Sequence, residues 1–195
     1  MIHNEPTSEA RERVLRAAER LFSQRGYKAV TLRDIADELK IKPASLYNHA
    51  PGGKQELFIA ITERNLARHR VGIQEAIAQT PSELRAQLHR IARWLLSQPP
   101  TNLQRMQHSD MPAIAPDEAE RLSLLAFQSL LEPISRAVRA AVERGEIAGR
   151  HAAMLGGTFL LSVEGIRGLE ARTGISEQQM AEDVIDLLLE GARPR

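Results

Sequence analysis

The chain has 195 residues, 43% hydrophobic and 26% charged, with a formal net charge of +1 and no cysteine. That length suits one compact unit, or a small domain joined to a larger one, and the apolar content is enough for a core. The absence of cysteine excludes disulfides, thiolate metal ligands and a cysteine nucleophile, which fits a reducing, cytoplasmic setting. The longest apolar run, Ala152 to Val163, is interrupted by Thr158 and Ser162. It falls short of the roughly 18–20 residues that cross a bilayer, so no membrane association is expected. The opening Met-Ile-His-Asn-Glu-Pro-Thr lacks a basic segment followed by an apolar core, and no signal peptide is expected.

The first predicted helix runs from Ser8 to about Arg25, with Val14, Leu15, Ala18, Leu21 and Phe22 on one stripe and Gly26 ending it. A second, short helix opens at Thr31, where Asp34 completes a capping-box pattern and Ile35, Ala36 and Leu39 share a face. Ile41 fills a turn, and Pro43 starts a third helix that reaches about His49, anchored by Leu46. This is the outline of a helix-turn-helix. It leaves Ala44, Ser45, Tyr47, Asn48 and His49 on or near the outer face, side chains suited to base edges and phosphates at close range.

The rest of the chain also reads as helical, so the predicted class is all-α. A long helix from Lys54 to Ile77 carries Leu57, Ile61, Leu66, Ile73 and Ile77. Thr80-Pro81-Ser82-Glu83 reads as the cap of the next, whose stripe is Leu84, Leu88, Ile91 and Leu95 and which ends at Pro99-Pro100. Residues 101–115 read as a short helix and a loop. From Pro116 to Arg144 the stripe is Leu124, Phe127, Leu131, Ile134, Val138 and Val142, with a kink at Pro133. A helix from Arg150 to Arg172 is apolar nearly all round, and Ser176 caps the last, which carries Met180, Val184, Leu187 and Leu188.

Those last two helices would leave an apolar side uncovered in one protomer. Pairing with the same helices of a second copy gives a two-fold, four-helix interface, with Gly157, Leu161, Gly165, Gly168, Val184 and Leu188 as candidates and the glycines allowing close approach. The plain alternative is packing inside the protomer. A pocket could form where Leu66, His69 and Ile73 face Ile91, Trp94 and Leu95, the Met106–Met111 segment, and Phe127 and Leu131. Adaptable Met106 and Met111 and the flat Trp94 would suit a small apolar or amphipathic ligand; the alternative is a solid core.

Residues 1–54 hold ten Lys/Arg against seven Asp/Glu, and the remainder sixteen against eighteen. A mildly basic head on a mildly acidic body is the direction expected if the head alone meets phosphates. His69, His89, His108 and His151 match no ligand spacing, so no metal or other cofactor is expected. With no nucleophile elbow, phosphate loop or usefully spaced carboxylates, neither is catalysis.

The string Arg13-Val-Leu-Arg-Ala-Ala-Glu-Arg-Leu-Phe-Ser-Gln-Arg-Gly-Tyr-Lys-Ala-Val-Thr31, then Leu46-Tyr47-Asn48-His49 and Lys54-Gln55-Glu56-Leu57-Phe58, resembles the first 60 or so residues of the TetR/AcrR family of transcriptional regulators. Ala50 departs from the family's usual aromatic, and Pro51-Gly52-Gly53 is about one residue longer than the usual link. The resemblance implies a three-helix DNA-binding domain over 1–54 and a helical ligand-binding and dimerisation domain over 55–195. It implies phosphate contacts for Tyr47, His49 and Lys54, a possible second role for Thr31 at a phosphate, and Lys42, Pro43, Ala44, Ser45 and Asn48 near bases or their flanking phosphates. It further implies a homodimeric repressor that binds palindromic double-stranded DNA and is released by an effector. A regulator governed by a protein partner, with no small-molecule effector, is the alternative.

Overall fold

In the computed structural model the structure describes residues 5–193, and every regular element among them is helical. Helix α1 spans Glu5–Arg25, starting ahead of the expected Ser8. It stops at Gly26, whose φ of +81° is a left-handed conformation that an L side chain adopts at a cost of about 1–2 kcal/mol. Helix α2, Leu32–Leu39, opens on the predicted box: the Thr31 hydroxyl accepts the Asp34 N–H at 3.1 Å and the Asp34 carboxylate accepts the Thr31 N–H at 2.7 Å. Lys40, at φ 57°, makes the turn, and α3 follows over Pro43–Leu46. It is shorter than the expected 43–49. Ala50 precedes Pro51, which disfavours helical backbone there, and the helix closes with the Ala50 N–H on the Leu46 carbonyl at 2.8 Å.

Helix α4 spans Gly53–Ala78, α5 Leu84–Ser97, and α6 only Leu103–Arg105 before a wide π-type turn over Met106–Asp110 and a 3₁₀ turn over Met111–Ala113. Helices α7 (Pro116–Ala126) and α8 (Glu132–Glu143) are joined by a second π-type turn, Phe127–Leu131. Then come α9 (Ala152–Gly165), α10 (Glu170–Thr173) and α11 (Glu177–Gly191).

The chain divides into two compact units, Met1–Asn65 with Gln104–Ser123, and Leu66–Leu103 with Leu124–Arg195. The first of these units runs past residue 54, where the sequence reading placed its boundary, and takes in a later segment. The start of α4 gives Leu57, Phe58 and Ile61 to the core of the first unit, and the 104–123 strap is hydrogen-bonded to the end of α1. Around that core Phe22, Tyr27 and Phe58 form a ring cluster with centroids 4.7–5.9 Å apart, beside fully buried Ile35, Ala36, Leu46 and Leu57.

In the second unit α11 packs on α5 and α9, and α9 on α8. Leu88, Ile91, Leu95, Ile134, Val138, Phe159, Val163 and Ile185 fill its core. Three sequence expectations are corrected here. The cap of α5 is not Thr80, whose hydroxyl donates to the Ala76 carbonyl at 2.6 Å; the helix begins at Leu84, whose N–H donates to the Glu146 carboxylate at 2.8 Å. The helix expected over 150–172 breaks after Gly165, with Gly168 at φ +75° and its N–H donating to Glu177 at 2.7 Å. The π-type turn ahead of Pro133 inserts a residue into the repeat, so Leu122, Ala126 and Leu130 are buried while Leu124 and Phe127 are 57% and 51% exposed.

Candidate nucleic-acid interface

The outer surface of the helix-turn-helix follows from how few of its side chains are needed inside. In α3 only Leu46 is buried. Lys42, Pro43, Ala44 and Asn48 are exposed, Tyr47 is 54% exposed, and Ser45 and His49 are half-buried. Thr31 is exposed and held by its box; its hydroxyl hydrogen bond to Asp34, with the Thr31 N–H second, keeps that carboxyl below the usual carboxylate range. Behind this surface Arg11 ties the ends of the recognition segment together. It donates to the His49 carbonyl and reaches Glu56 at 3.1 Å, while Glu56 accepts the Gly52 N–H at 2.8 Å. The longer Pro51-Gly52-Gly53 link is thus braced by a side chain from the first turn of α4, and Gly53 takes φ +68° to enter that helix.

Lys54, expected at a phosphate, is half-buried and held against Tyr27. Its ammonium donates to the Tyr27 carbonyl at 3.0 Å and lies 4.1 Å over the Tyr27 ring, and burial pulls its pKa below the usual lysine value. It braces the head from within.

Charge on the head is sorted by pairing. Arg20 pairs with Glu38, Arg25 lies 3.7 Å from Asp34, and Arg64 bridges Glu12 and Glu19 at 2.9 and 2.6 Å. Lys28, Arg33, Lys40 and Lys42 are exposed and make no ion pair among the described residues. Lys28, Arg33 and Lys40 were not anticipated as interface residues. Their signal in the sequence is position: they flank Thr31 and occupy the α2–α3 turn, and Asp37, four residues after Arg33 and three before Lys40, pairs with neither in this structure.

The ligand candidates fall in both units. Met106 and Met111 belong to the first. In the second, Leu66, His69, Ile73, Ile91 and Leu95 are buried and Leu131 is half-buried. Trp94 lies flat against Gly72, where an added Cβ would meet the indole at 1.9 Å, and it lines a cleft of about 330 Å³ with Arg90 and Arg93. Phe127 faces outward for the reason of register given above. Among the dimer candidates, Leu161 is 53% exposed, Gly165 and Gly168 are exposed, and Gly157, Val184 and Leu188 are half-buried. An added Cβ at Gly157, Gly165 or Gly168 would meet nothing within 4 Å. Among the glycines of α9 the one closely packed inside the protomer is Gly156, where an added Cβ would lie 3.3 Å from the Ser135 hydroxyl.

Residues 14–61 match the model of the bacterial regulatory proteins, tetR family. The match is confined to this N-terminal segment. It is 45% identical over 51 residues to the HTH-type transcriptional regulator LmrA of Bacillus subtilis, covering 26% of this chain and 27% of that protein. It is 33% identical over 75 residues to the HTH-type transcriptional activator FasR of Mycolicibacterium smegmatis, covering 38% and 34%. The matches thus span about a third or less of these relatives. The likeness in fold runs through the whole chain. A Saccharomonospora viridis protein in complex with choline superposes with a TM-score of 0.72 at 23% identity, over 96% of this chain and all of that one. PfmR, a TetR family transcriptional regulator from Thermus thermophilus, superposes with a TM-score of 0.71 at 23% identity, over 93% and 99%.

Proposed function

We propose that this protein is a DNA-binding transcriptional repressor that grips a palindromic duplex as a homodimer and is released by a small apolar or amphipathic ligand. The observation that carries the DNA reading is the tetR-type head, with its unpaired cations around an outward recognition segment. Each phosphate neutralised by such a cation releases counterions, so binding weakens steeply with salt. Thr31, Lys42, Tyr47 and His49 serve the backbone, joined by Lys28, Arg33 and Lys40, and Pro43, Ala44, Ser45 and Asn48 approach the bases. Lys54 acts by holding the head in shape.

Selection from random DNA enriches an inverted repeat with half-sites about one helical turn, 34–36 Å, apart. Tyr47→Ala lowers affinity for all duplexes alike, whereas Asn48→Ala relaxes preference at one or two base positions at about 1–3 kcal/mol each. A selection that enriches no inverted repeat overturns the reading.

The dimer surface is the outer side of α9 and α11, where Met154, Leu161 and Leu187 are 70%, 53% and 75% exposed beside glycines with open space above them. Burial of that side by a second copy is the supporting argument. Leu161→Arg leaves the protomer folded, because the side chain touches little of it, and shifts light-scattering mass from dimer to monomer at micromolar concentration. A wild type that is already monomeric there rules the dimer out.

For the effector, the support lies in the second unit, where His69 Nδ1 and the Ser129 hydroxyl are buried without a protein hydrogen-bond partner. A ligand that fits one spacing of the two heads better than another shifts their population. A 100-fold loss of DNA occupancy needs about 2.7 kcal/mol of differential affinity, within reach of one buried organic molecule.

A further inference from the structure

We propose that Arg105 and Asp110 are positioning residues for DNA recognition: from a strap far along the chain they clamp the corner that aims the helix-turn-helix. This rests on the DNA-binding reading above and adds to it a part of the reading head that lies outside residues 14–61.

The clamp closes on the last turn of α1 and the first residue past Gly26. Arg105 uses both ends of its fork, donating from Nη1 to the Ser23 carbonyl at 2.9 Å and from Nη2 to the Phe22 carbonyl at 3.0 Å. These are carbonyls of the last turn of a helix, where a cation is favoured; the Phe22 carbonyl also accepts the Gly26 N–H at 2.9 Å. Its Nε faces Asp110 at 3.3 Å, and the other carboxylate oxygen of Asp110 accepts the Tyr27 N–H at 3.0 Å. Asp110 is 4% exposed, so its charge is matched inside the protein by Arg105 and one backbone amide.

Tyr27 is thereby held on both sides of its own backbone. Its N–H is taken by Asp110, and its carbonyl accepts Lys54 Nζ at 3.0 Å, while its ring packs at a tilt against Phe22 and Phe58. From there the chain runs directly to Thr31, which opens α2, and α2 carries α3. Fixing Tyr27 therefore fixes the direction in which the recognition segment leaves α1. Gly26 is required twice at this corner. Its φ is positive, and an added Cβ would lie 3.2 Å from Arg105 Cδ and 3.5 Å from the Asp110 carboxylate, so the strap lies flush on the bare backbone.

A residue that aims the head affects recognition more than it affects electrostatic attachment, and this separates positioning from two other roles. Loss of folded protein lowers binding to every duplex in the same proportion. Loss of a direct phosphate contact makes the dependence of log affinity on log salt shallower by about one. The experiment measures affinity of the full chain for the tightest duplex from the random-DNA selection and for a scrambled duplex of equal length, at several salt concentrations, with Arg105→Met, Arg105→Lys and Asp110→Asn. For Arg105→Met the ratio of specific to scrambled affinity is expected to fall about tenfold or more with the salt slope unchanged. Arg105→Lys, which keeps the charge but only one reach to the two carbonyls, is expected to recover part of that ratio. Should Arg105→Met fail to fold, Asp110→Asn decides: it keeps an acceptor for the Tyr27 N–H while turning an amide toward Arg105, and the same ratio falls severalfold. An unchanged ratio, an equal fall on both duplexes, or a shallower salt slope overturns the proposal. A wild type that selects no preferred duplex overturns the DNA-binding reading itself.

Discussion

Leu46→Ala is expected to abolish operator binding while the second unit stays folded. Leu46 is fully buried, and it is the one buried side chain of α3. A four-residue helix has no stability of its own, since nucleation fixes several dihedrals for a single hydrogen bond. Its position is therefore set by Leu46 seated in the head core and by Arg11 on the His49 carbonyl. Removing the isobutyl group from such a site costs about 2–5 kcal/mol in lost transfer energy and residual cavity. Even the lower figure is about 30-fold in an equilibrium constant, and the whole of it falls on the segment that carries Ala44, Ser45, Tyr47 and Asn48. The measurement pairs operator affinity with amide exchange. Affinity falls at least 30-fold, protection is lost over residues 31–58, and amides of α5, α9 and α11 keep theirs. Affinity within threefold of wild type would mean that α3 is held by something other than its single buried anchor.

The parts of this architecture that could be read in advance are those written in local chemistry. Thr31 with Asp34, Pro43 at a helix start, Gly26 at a helix end and Ser176 with its hydroxyl on the Gln179 N–H at 3.2 Å each involve residues within one turn of one another. What escaped the sequence was settled from far away. Thr80-Pro81-Ser82-Glu83 has the composition of a cap, yet Glu146, 62 residues on, takes the Leu84 amide. The turn over Phe127–Leu131 holds one residue more than an α-helical repeat allows, and a stripe counted at helical spacing then points Leu124 and Phe127 the wrong way. In α11 the buried stripe is Ala181, Ile185 and Leu189, which the sequence reading did not single out, because small Ala181 suits a face packed on α5 and α9. The head's outline was legible for the same reason that its brace was not. Recognition residues cluster within α3 and its neighbours, whereas Arg105 and Asp110 reach the corner across 83 residues of chain.

Acidification from pH 6.5 to pH 4 is expected to weaken the second unit by about 3 kcal/mol through His69. The ring is 1% exposed, with Nε2 3.2 Å from the Thr101 hydroxyl. Burial first, and then the positive charges of Arg68 and Arg167, lower its pKa to about 4. Glu164 lies 3.4 Å from Arg167 and offsets part of that field without reversing it. In the unfolded chain the same imidazole titrates near 6.5. Because the folded value is depressed, the unfolded state binds the extra proton first as pH falls. Stability is thus whole above pH 6.5, declines through the window, and has lost this contribution once pH reaches the folded value. The two values differ by about 2.5 pH units, worth about 3 kcal/mol. His89 adds to the same slope, since burial and its arginine neighbours Arg85 and Arg93 outweigh Glu182 and lower its pKa as well. Urea unfolding followed by Trp94 fluorescence at pH 7 and pH 4.5 measures the effect in the unit that contains both residues. His69→Gln, which cannot charge, is expected to remove most of the slope while costing stability at pH 7 through imperfect packing. A wild-type midpoint that does not move between the two pH values, or a slope that survives unchanged in His69→Gln, would show that the imidazole is solvated or paired in the folded protein.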